Sequence, residues 1–339
     1  MLNNFNHIQS AHCENGVIVS LLKAKGVDFI NEPLAFGIGS GLFYIHVPFL
    51  TFNNGPAISF RTMPGRIFKQ TSKYLNIDIV SKKFSNEKKA QEYLDLMLYK
   101  GEQVGCQVGV YNLSYFPIEY RFHFNAHNLV VYGKNDNRYL ISDTVMETVT
   151  SLLEEELNRV RFAKGMYAPK GHLYYVKKLG IIDNNVIKKA IIKGINRNVR
   201  DMLYIPGNFG GVSGIKYTAN KVRKWRDKLG VRKAGQYLGH IVRMQEEIGT
   251  GGGGFRFIYA AFLEESAKYF DNNNLLLNLS DDFTKAGDLW RLSAVKMAGV
   301  FRGINTTQKD FDDIGSVLLE IYNIEKEAFK KLSKNKLKF

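Results

Sequence analysis

Residues 13–24 have the sequence Cys-Glu-Asn-Gly-Val-Ile-Val-Ser-Leu-Leu-Lys-Ala, and the apolar pattern within them predicts the first helix of the chain. Val17 and Leu21, four residues apart, would lie on one face of that helix. Cys13 stands where the helix begins. Free N–H groups and a partial positive charge at a helix N-terminus favour a thiolate over a thiol. The amide of Cys13 would also point at an oxyanion formed when its sulfur attacks a carbonyl, so this position suits a nucleophile.

A nucleophilic thiol needs a base, usually a histidine, that a third group holds in place. Residues 127–132 and 138–142 are predicted strands of a hairpin, because a turn-forming segment lies between them. His127 begins the first strand and Asp143 follows the second, so the hairpin would bring the two side chains together. Papain-like folds have the same layout: the catalytic cysteine lies on the first helix, and the histidine and the third residue lie on the sheet.

Other polar residues could contribute to such a site. Four histidines could replace His127 or line the cleft: His7, His12, His46 and His123. Gln9, four residues before Cys13, could donate a side-chain hydrogen bond to an oxyanion. An ordinary polar role is the competing interpretation for each of them, and a buried structural cysteine is the competing interpretation for Cys13.

The distribution of periodic segments predicts an α+β protein in two regions. Residues 1–150 are expected to form a catalytic core of an N-terminal helix and mostly antiparallel strands. Residues 151–339 are expected to be mostly helical and to carry a basic patch and a Gly-rich loop. The other predicted elements are a tightly turned segment at 34–52, in which the backbone passes close to another group, a helix at 86–99, a strand at 104–111, and helices at 148–163, 184–200, 216–229, 232–247, 255–270, 283–301 and 308–333.

The composition favours a globular protein without a membrane span. Of the 339 residues, 45% are hydrophobic, but no apolar run is long enough for a transmembrane helix. The polar start of the chain lacks the apolar core of a secretory signal. The two cysteines, Cys13 and Cys106, are too few for a disulfide framework, so a cytoplasmic location is expected.

No metal or nucleotide cofactor is expected. The two cysteines are far apart, and the histidines lack the paired spacing of a zinc site. Residues 249–254, Gly-Thr-Gly-Gly-Gly-Gly, precede a predicted helix, so an anion could bind there. They lack the Gly-Lys-Ser/Thr ending of a phosphate-binding loop.

The positive charge of the chain lies almost entirely in its C-terminal half. Residues 1–150 contain 14 Lys and Arg against 12 Asp and Glu, whereas residues 151–339 contain 33 against 20. The excess is densest between Lys221 and Lys233. Such a patch attracts an acidic partner, although a solvated helix face is the competing interpretation.

Two blocks of residues resemble the signatures of a known family. The first block is residues 9–16, Gln-Ser-Ala-His-Cys-Glu-Asn-Gly, followed by residues 32–44, Glu-Pro-Leu-Ala-Phe-Gly-Ile-Gly-Ser-Gly-Leu-Phe-Tyr. The chain resembles the butirosin biosynthesis protein H family in this block and, in the same order, in a C-terminal block. That second block is residues 249–256, Gly-Thr-Gly-Gly-Gly-Gly-Phe-Arg, with Tyr259, Phe262, Leu263 and Glu264.

The resemblance implies a papain-like cysteine-peptidase fold that forms amide bonds. Such enzymes take an acyl group from the phosphopantetheine thioester of an acyl or peptidyl carrier protein and transfer it to an amine, such as that of an aminoglycoside, in antibiotic biosynthesis. In this sequence, Cys13 matches the nucleophile, and His127 and Asp143 match the later histidine and aspartate. Papain-like enzymes usually place a glutamine six residues before the cysteine, a position that His7 occupies here.

The resemblance also gives the basic patch a use, because carrier proteins are typically acidic. We expect a carrier protein to dock on five basic residues: Lys221, Arg223, Lys224, Arg226 and Lys228. The expected partners are therefore a carrier protein and a small amine, such as an aminoglycoside or a diamine. Neither a nucleic acid nor a membrane is expected, because the sequence contains no recognised nucleic-acid motif and no membrane span.

Three other functions stay open at this point. The same three residues would serve a cysteine peptidase or thioesterase, in which water accepts the acyl group. Self-cleavage before Cys13 would give an enzyme with an N-terminal cysteine. The basic helical region could also belong to a non-enzymatic binding or scaffold module.

Overall fold

The computed structural model describes residues 5–52, 55–271 and 273–335. The helices and strands follow one another along the chain as α1 (Cys13–Lys23), α2 (Glu32–Ile38), β1 (Leu42–Phe52), β2 (Gly55–Arg61), α3 (Arg66–Tyr74), β3 (Ile77–Lys82), α4 (Glu87–Tyr99), β4 (Val104–Val108), β5 (His127–Asn135), β6 (Arg138–Ser142), β7 (Thr150–Leu153), α5 (Glu154–Arg161), β8 (Leu173–Leu179), α6 (Asn184–Leu203), α7 (Gly211–Val242), α8 (Arg256–Ala267), α9 (Asn274–Phe301) and α10 (Gln308–Lys334).

The chain forms two compact units. The first contains Met1–Ala35 and Thr71–Ile182, and the second contains Phe36–Gln70 and Asp183–Phe339. The sequence-based division placed the boundary at residue 150, whereas the first unit continues to Ile182. The reason is that β8 pairs with both β3 and β4 and so belongs to the first unit's sheet. The outermost residues of the two predicted regions, 1–4 and 336–339, lie outside the described residues.

The first unit is built on a six-stranded antiparallel sheet with the strand order β3-β8-β4-β5-β6-β7. β5 and β6 form the predicted hairpin, in which Val130 pairs with Ser142 and Asn135 pairs with Arg138. α1 packs against β5, β4 and β8. Alternate residues of β4, among them Val104 and Cys106, are buried in the core of the unit, which α4 and α5 also help to form.

The start of α1 is held by contacts on both sides. The His12 side chain caps the helix, because its Nδ1 accepts a hydrogen bond from the Asn15 amide at 3.4 Å. The Glu32 carboxylate accepts bonds from the amides of Ala11 (2.9 Å) and His12 (2.7 Å). A Cβ on Gly16 would overlap the Thr144 side chain, so the helix approaches the end of β6 as closely as a glycine allows.

The second unit is mainly helical, with α7, α9 and α10 packed against one another and α7 also packed against the β1–β2 hairpin. At its centre, fully buried Arg256 donates from Nε and Nη2 to the two carboxylate oxygens of Glu325, at 2.8 and 2.9 Å. Trp290 donates its indole N–H to Glu325 at 2.9 Å. Buried charges need such partners, and here each charge has one.

The Gly-rich loop 249–254 is part of this unit's own packing. Gly251–Gly254 all have positive φ values, which glycine adopts readily. The Gly253 amide donates to both carboxylate oxygens of Glu246, at 3.1 and 3.2 Å. The chain therefore supplies its own anion to this amide, and the loop needs no bound phosphate to satisfy it.

The α+β fold class is confirmed, with an N-terminal helix that begins at Cys13, an antiparallel sheet and a largely helical C-terminal region. The predicted break between helices at 216–229 and 232–247 corresponds to Gly230, whose φ of 75 and ψ of 158 interrupt α7. None of the helices in the described part of the chain combines the length and the apolar character needed to span a membrane.

Two sequence-based assignments were wrong. Residues 34–52 form most of α2 and all of β1, and they turn only briefly, at Gly39 and Ser40 between these elements. The predicted close approach of the backbone is present, because the glycines there allow close packing. A Cβ on Gly37 would overlap the ring of Phe262. Residues 148–163 do not form a single helix, because Thr150–Leu153 pair with β6 as a strand before α5 begins.

We predict that Gly16→Ala destabilises the protein, because the added methyl group would overlap Thr144 and Ser10. Overpacking of this kind costs about 1–3 kcal/mol, which outweighs the better helix propensity of alanine. Thermal unfolding of the variant should therefore begin at a lower temperature than that of the wild type. Gly133→Ala is the control, because its new Cβ would meet only a flexible Leu140 side chain, at 3.1 Å. Equal losses in both variants would contradict the prediction.

Candidate active site

The structure brings Cys13, His127 and Asp143 together within the first unit. Cys13 is the first residue of α1, and 8% of its surface is exposed. His127 is the first residue of β5, and Asp143 follows the last residue of β6. A nearly enclosed cysteine of this kind can be reached by a small reactive group but is shielded from bulk water.

Asp143 fixes the orientation of the imidazole. Nε2 of His127 and Oδ2 of Asp143 are 2.7 Å apart, and the Asp143 side chain is fully buried. The same carboxylate accepts bonds from the Tyr115 hydroxyl, at 2.8 Å, and from the Val145 amide, at 3.3 Å. Because Asp143 engages Nε2, the ring nitrogen left for Cys13 is Nδ1. The Phe116 ring packs edge-on against the imidazole and limits its rotation.

The electrostatics of the site favour a charged imidazole. Burial lowers the pKa of His127, but the charges of Asp143 and Cys13 and hydrogen bonds to both outweigh burial and raise this pKa to about 10. A histidinium beside Cys13 would stabilise a negative charge that develops on the sulfur. The arrangement can therefore hold a nucleophile and a proton donor side by side.

A further side chain, that of Asn128, contacts the sulfur. Its Nδ2 lies 3.9 Å from Cys13 Sγ, and its Oδ1 accepts a hydrogen bond from the Tyr174 hydroxyl at 2.9 Å. Tyr174 lies on β8, next to the strand that pairs with β5. Burial first, and then nearby Glu14, Cys13 and Cys106, raises the pKa of Tyr174 well above its usual value, so the hydroxyl keeps its proton.

Gln9 and the other histidines lie in different surroundings from those of His127. Gln9 is exposed, and its role as an oxyanion donor stays a prediction. His7 is turned inward, where its Nδ1 lies 2.8 Å from Ser142 Oγ and its Nε2 lies 3.0 Å from the Met146 carbonyl oxygen. These contacts hold the segment around Asp143.

The two remaining candidate histidines lie elsewhere. His46 belongs to the second unit, where it bonds to Thr218, and exposed His123 stacks on Tyr111.

The five basic residues expected to dock a carrier protein all lie on α7 but differ in their surroundings. Arg223 donates to Ser316 Oγ and Arg226 donates to the Thr306 carbonyl, both at 3.0 Å. Lys224 and Lys228 are exposed, and the ammonium of Lys221 lies over the Tyr217 ring. The two arginines thus bind the chain itself, whereas Lys224 and Lys228 face solvent.

Sequence reasoning did not find Tyr115, Asn128 and Tyr174. Strand alternation predicts that Asn128 points away from its neighbour His127, so adjacency gave no signal. Tyr115 lies in the loop before β5 and Tyr174 on a distant strand, and only the folded sheet brings them to the site. Among the described residues, no three His, Cys, Asp or Glu side chains group as they would to bind a metal.

Comparisons with known proteins match both parts of the chain. Residues 12–144, which begin next to Cys13 and end next to Asp143, match the family model Butirosin biosynthesis protein H, N-terminal. Residues 155–332, just over half of the chain, match a domain of unknown function, DUF4872. No curated protein matches the chain. A C39-like peptidase from Bacillus anthracis, a solved structure, is similar at 15% identity and a TM-score of 0.35, over 53% of this chain and 98% of that one.

We predict that the stability contributed by His127 depends on pH. Because folding raises its pKa from the ordinary 6.5 to about 10, this contribution is complete below pH 6.5 and disappears as the pH rises through 10. The difference in melting temperature between wild type and His127→Gln should therefore shrink from pH 6 to pH 10. His123→Gln is the control, because His123 is exposed. A difference for His127→Gln that stays constant over this range would contradict the prediction.

Proposed function

The chain carries the butirosin biosynthesis protein H N-terminal domain and belongs to the DUF4872 family, and from this we propose that it is a cysteine-dependent acyltransferase. The observation that carries the proposal is the grouping of Cys13 with His127. Asp143 orients this histidine, because its Oδ2 lies 2.7 Å from Nε2 of His127. A cysteine at a helix N-terminus, beside an oriented imidazole, has the parts needed for covalent acyl transfer.

In the first proposed step, the Cys13 thiolate attacks the carbonyl carbon of an acyl thioester. The helix N-terminus, including the Cys13 amide, stabilises the oxyanion of the tetrahedral intermediate. The intermediate collapses, the carbon–sulfur bond to the donor breaks, and the His127 imidazolium gives its proton to the leaving thiolate. One thioester is exchanged for another, so the acyl group stays activated and no metal or other cofactor is needed.

In the second step, an amine attacks the acyl-Cys13 thioester. His127, now neutral, accepts a proton from the amine nitrogen as the new carbon–nitrogen bond forms. The Cys13 thiolate leaves, and the product is an amide. Asp143 stabilises the imidazolium that this step restores, and its three hydrogen-bond donors keep it in place.

We propose the phosphopantetheine thioester of a carrier protein as the acyl donor and a small amine, such as an aminoglycoside amine, as the acceptor. The family's association with butirosin biosynthesis supports an antibiotic pathway. The triad would equally support hydrolysis, as in a cysteine peptidase or thioesterase, if water reached the acyl-enzyme. The nature of the acceptor therefore decides between transfer and hydrolysis.

We propose that the carrier protein docks on a basic surface formed by exposed Lys224, Lys228, Arg232 and Lys233 of α7. Arg232, Lys233 and Thr51 line part of a cavity of about 480 Å³, which lies where Gly230 interrupts α7. Next to Thr51, Phe49 and Leu50 are exposed on β1. Cations beside apolar side chains suit a partner that is both acidic and amphipathic.

We predict that an acyl-pantetheine thioester supplied without amine adds one acyl group to the wild-type protein, as measured by intact mass. Cys13→Ala should gain no acyl group, because it lacks the nucleophile. Addition of an amine should then remove the adduct and yield the amide. Release of free acid in the presence of amine would favour a thioesterase. The absence of both adduct and turnover with several acyl groups would overturn the proposal in favour of a binding or scaffold role.

We predict that the double charge reversal Lys224→Glu with Lys228→Glu raises KM for a carrier-bound acyl donor by about tenfold, because it repels an acidic carrier. KM for the small acyl-pantetheine donor should stay unchanged. The matched control is Lys88→Glu with Lys89→Glu, which makes the same change in charge on exposed residues of α4. Equal effects of the two double variants on the carrier-bound donor would refute this docking surface.

A further inference from the structure

Asn128 offers a hydrogen bond to the sulfur of Cys13 from a fixed, buried amide. Its Nδ2 lies 3.9 Å from Cys13 Sγ and 3.1 Å from the Ala126 carbonyl oxygen, and the residue is 6% exposed. Nδ2 carries two hydrogens, so one is available for each acceptor. The contact to sulfur is long, as is usual for this large atom, and it becomes stronger when sulfur carries a negative charge.

The orientation of this amide is decided by its neighbours. The Ala126 carbonyl can only accept, so the side-chain atom facing it must be the nitrogen. Oδ1 then faces the Tyr174 hydroxyl, which donates to it at 2.9 Å. Tyr174 is 3% exposed, and its raised pKa keeps it a donor. Both ends of the amide are thus anchored, and its remaining N–H is directed at Cys13.

We propose that Asn128 is a catalytic residue that stabilises the Cys13 thiolate by donating a hydrogen bond to Sγ, and that Tyr174 is the positioning residue that orients its amide. The inference rests on the proposed role of Cys13 as the nucleophile. When the Sγ proton passes to Nδ1 of His127, the thiolate gains a charged partner, His127, and a neutral donor, Asn128. In this step the S–H bond of Cys13 breaks and an N–H bond forms at Nδ1 of His127, and no other covalent bond changes.

A second donor matters because the sulfur is nearly enclosed. Water can provide little of the hydrogen bonding that a thiolate needs, since only 8% of Cys13 is exposed. The titratable groups around this cluster are His127 on β5, Tyr174 on β8, Cys106 on β4 and Glu14 on α1 itself. Cys106 is fully buried, and burial raises its pKa, so it stays a neutral thiol.

The test is the rate at which iodoacetamide alkylates Cys13 between pH 5 and pH 10, followed by intact mass, with Cys13→Ala as the background for Cys106. In Asn128→Leu, which keeps the side-chain size but loses the donor, the midpoint of the pH profile should rise by about one pH unit. Tyr174→Phe should raise it by a smaller amount, because the amide remains but loses its anchor.

The matched control is Tyr175→Phe, which removes the hydroxyl of the next residue on β8. That hydroxyl lies 3.1 Å from the Tyr93 hydroxyl, whereas the hydroxyl that donates to the amide of Asn128 is that of Tyr174. The midpoint for this variant should equal that of the wild type. An unchanged midpoint in folded Asn128→Leu would overturn the proposal. If Asn128→Leu does not fold, an unchanged midpoint in Tyr174→Phe would overturn it instead.

The same experiment separates this inference from the proposed function. Alkylation requires no acyl donor, carrier protein or amine. A wild-type Cys13 that does not react at any pH would remove the nucleophile itself and with it the acyltransferase proposal. A reactive Cys13 whose profile Asn128→Leu leaves unchanged would remove only the role of Asn128. With an acyl donor, Asn128→Leu should lower kcat about tenfold while KM stays the same.

Discussion

The hydrogen bond between His127 and buried Asp143 is the interaction on which the geometry of the first unit's site depends. A buried carboxylate is costly unless it is paired and hydrogen-bonded, and Asp143 meets this condition with three donors. Two of these donors come from outside the β5–β6 hairpin, from Tyr115 and Val145. The position of the histidine is therefore fixed by the hairpin register and by the loops at its open end together.

The cysteine reaches this pair because the N-terminal end of α1 is held as firmly as the hairpin. Glu32 binds the amides that precede the helix, and Gly16 allows close contact with Thr144, the residue after Asp143. His7, at the position where papain-like enzymes usually carry a glutamine, instead contacts Ser142 and Met146 on either side of Asp143. The chain thus uses this position to support the aspartate, and a different amide, that of Asn128, lies against the sulfur.

The second unit follows the same physical rule with different residues. Arg256 and Glu325 are both fully buried, and their paired bonds, together with the Trp290 indole, satisfy each charge. The Gly-rich loop resembles a phosphate cradle in sequence, yet Glu246 of the same chain occupies its Gly253 amide. A pattern of glycines therefore indicates available backbone amides, but the fold determines what binds them.

Local patterns were sufficient to predict the helix that begins at Cys13, the hairpin between His127 and Asp143, and the helical C-terminal region, because periodicity and turn residues act over short distances. They were not sufficient for residues 34–52, which form a helix and a strand with only a brief turn at Gly39 and Ser40, and where Gly37 allows close packing against Phe262. Nor could they reveal Tyr115, Asn128 and Tyr174, which come from separate segments and meet only in the assembled sheet. Contacts between residues far apart in sequence leave no periodic signal. The candidate cysteine and histidine were therefore evident from the chain, whereas the groups that orient them were decided by tertiary packing.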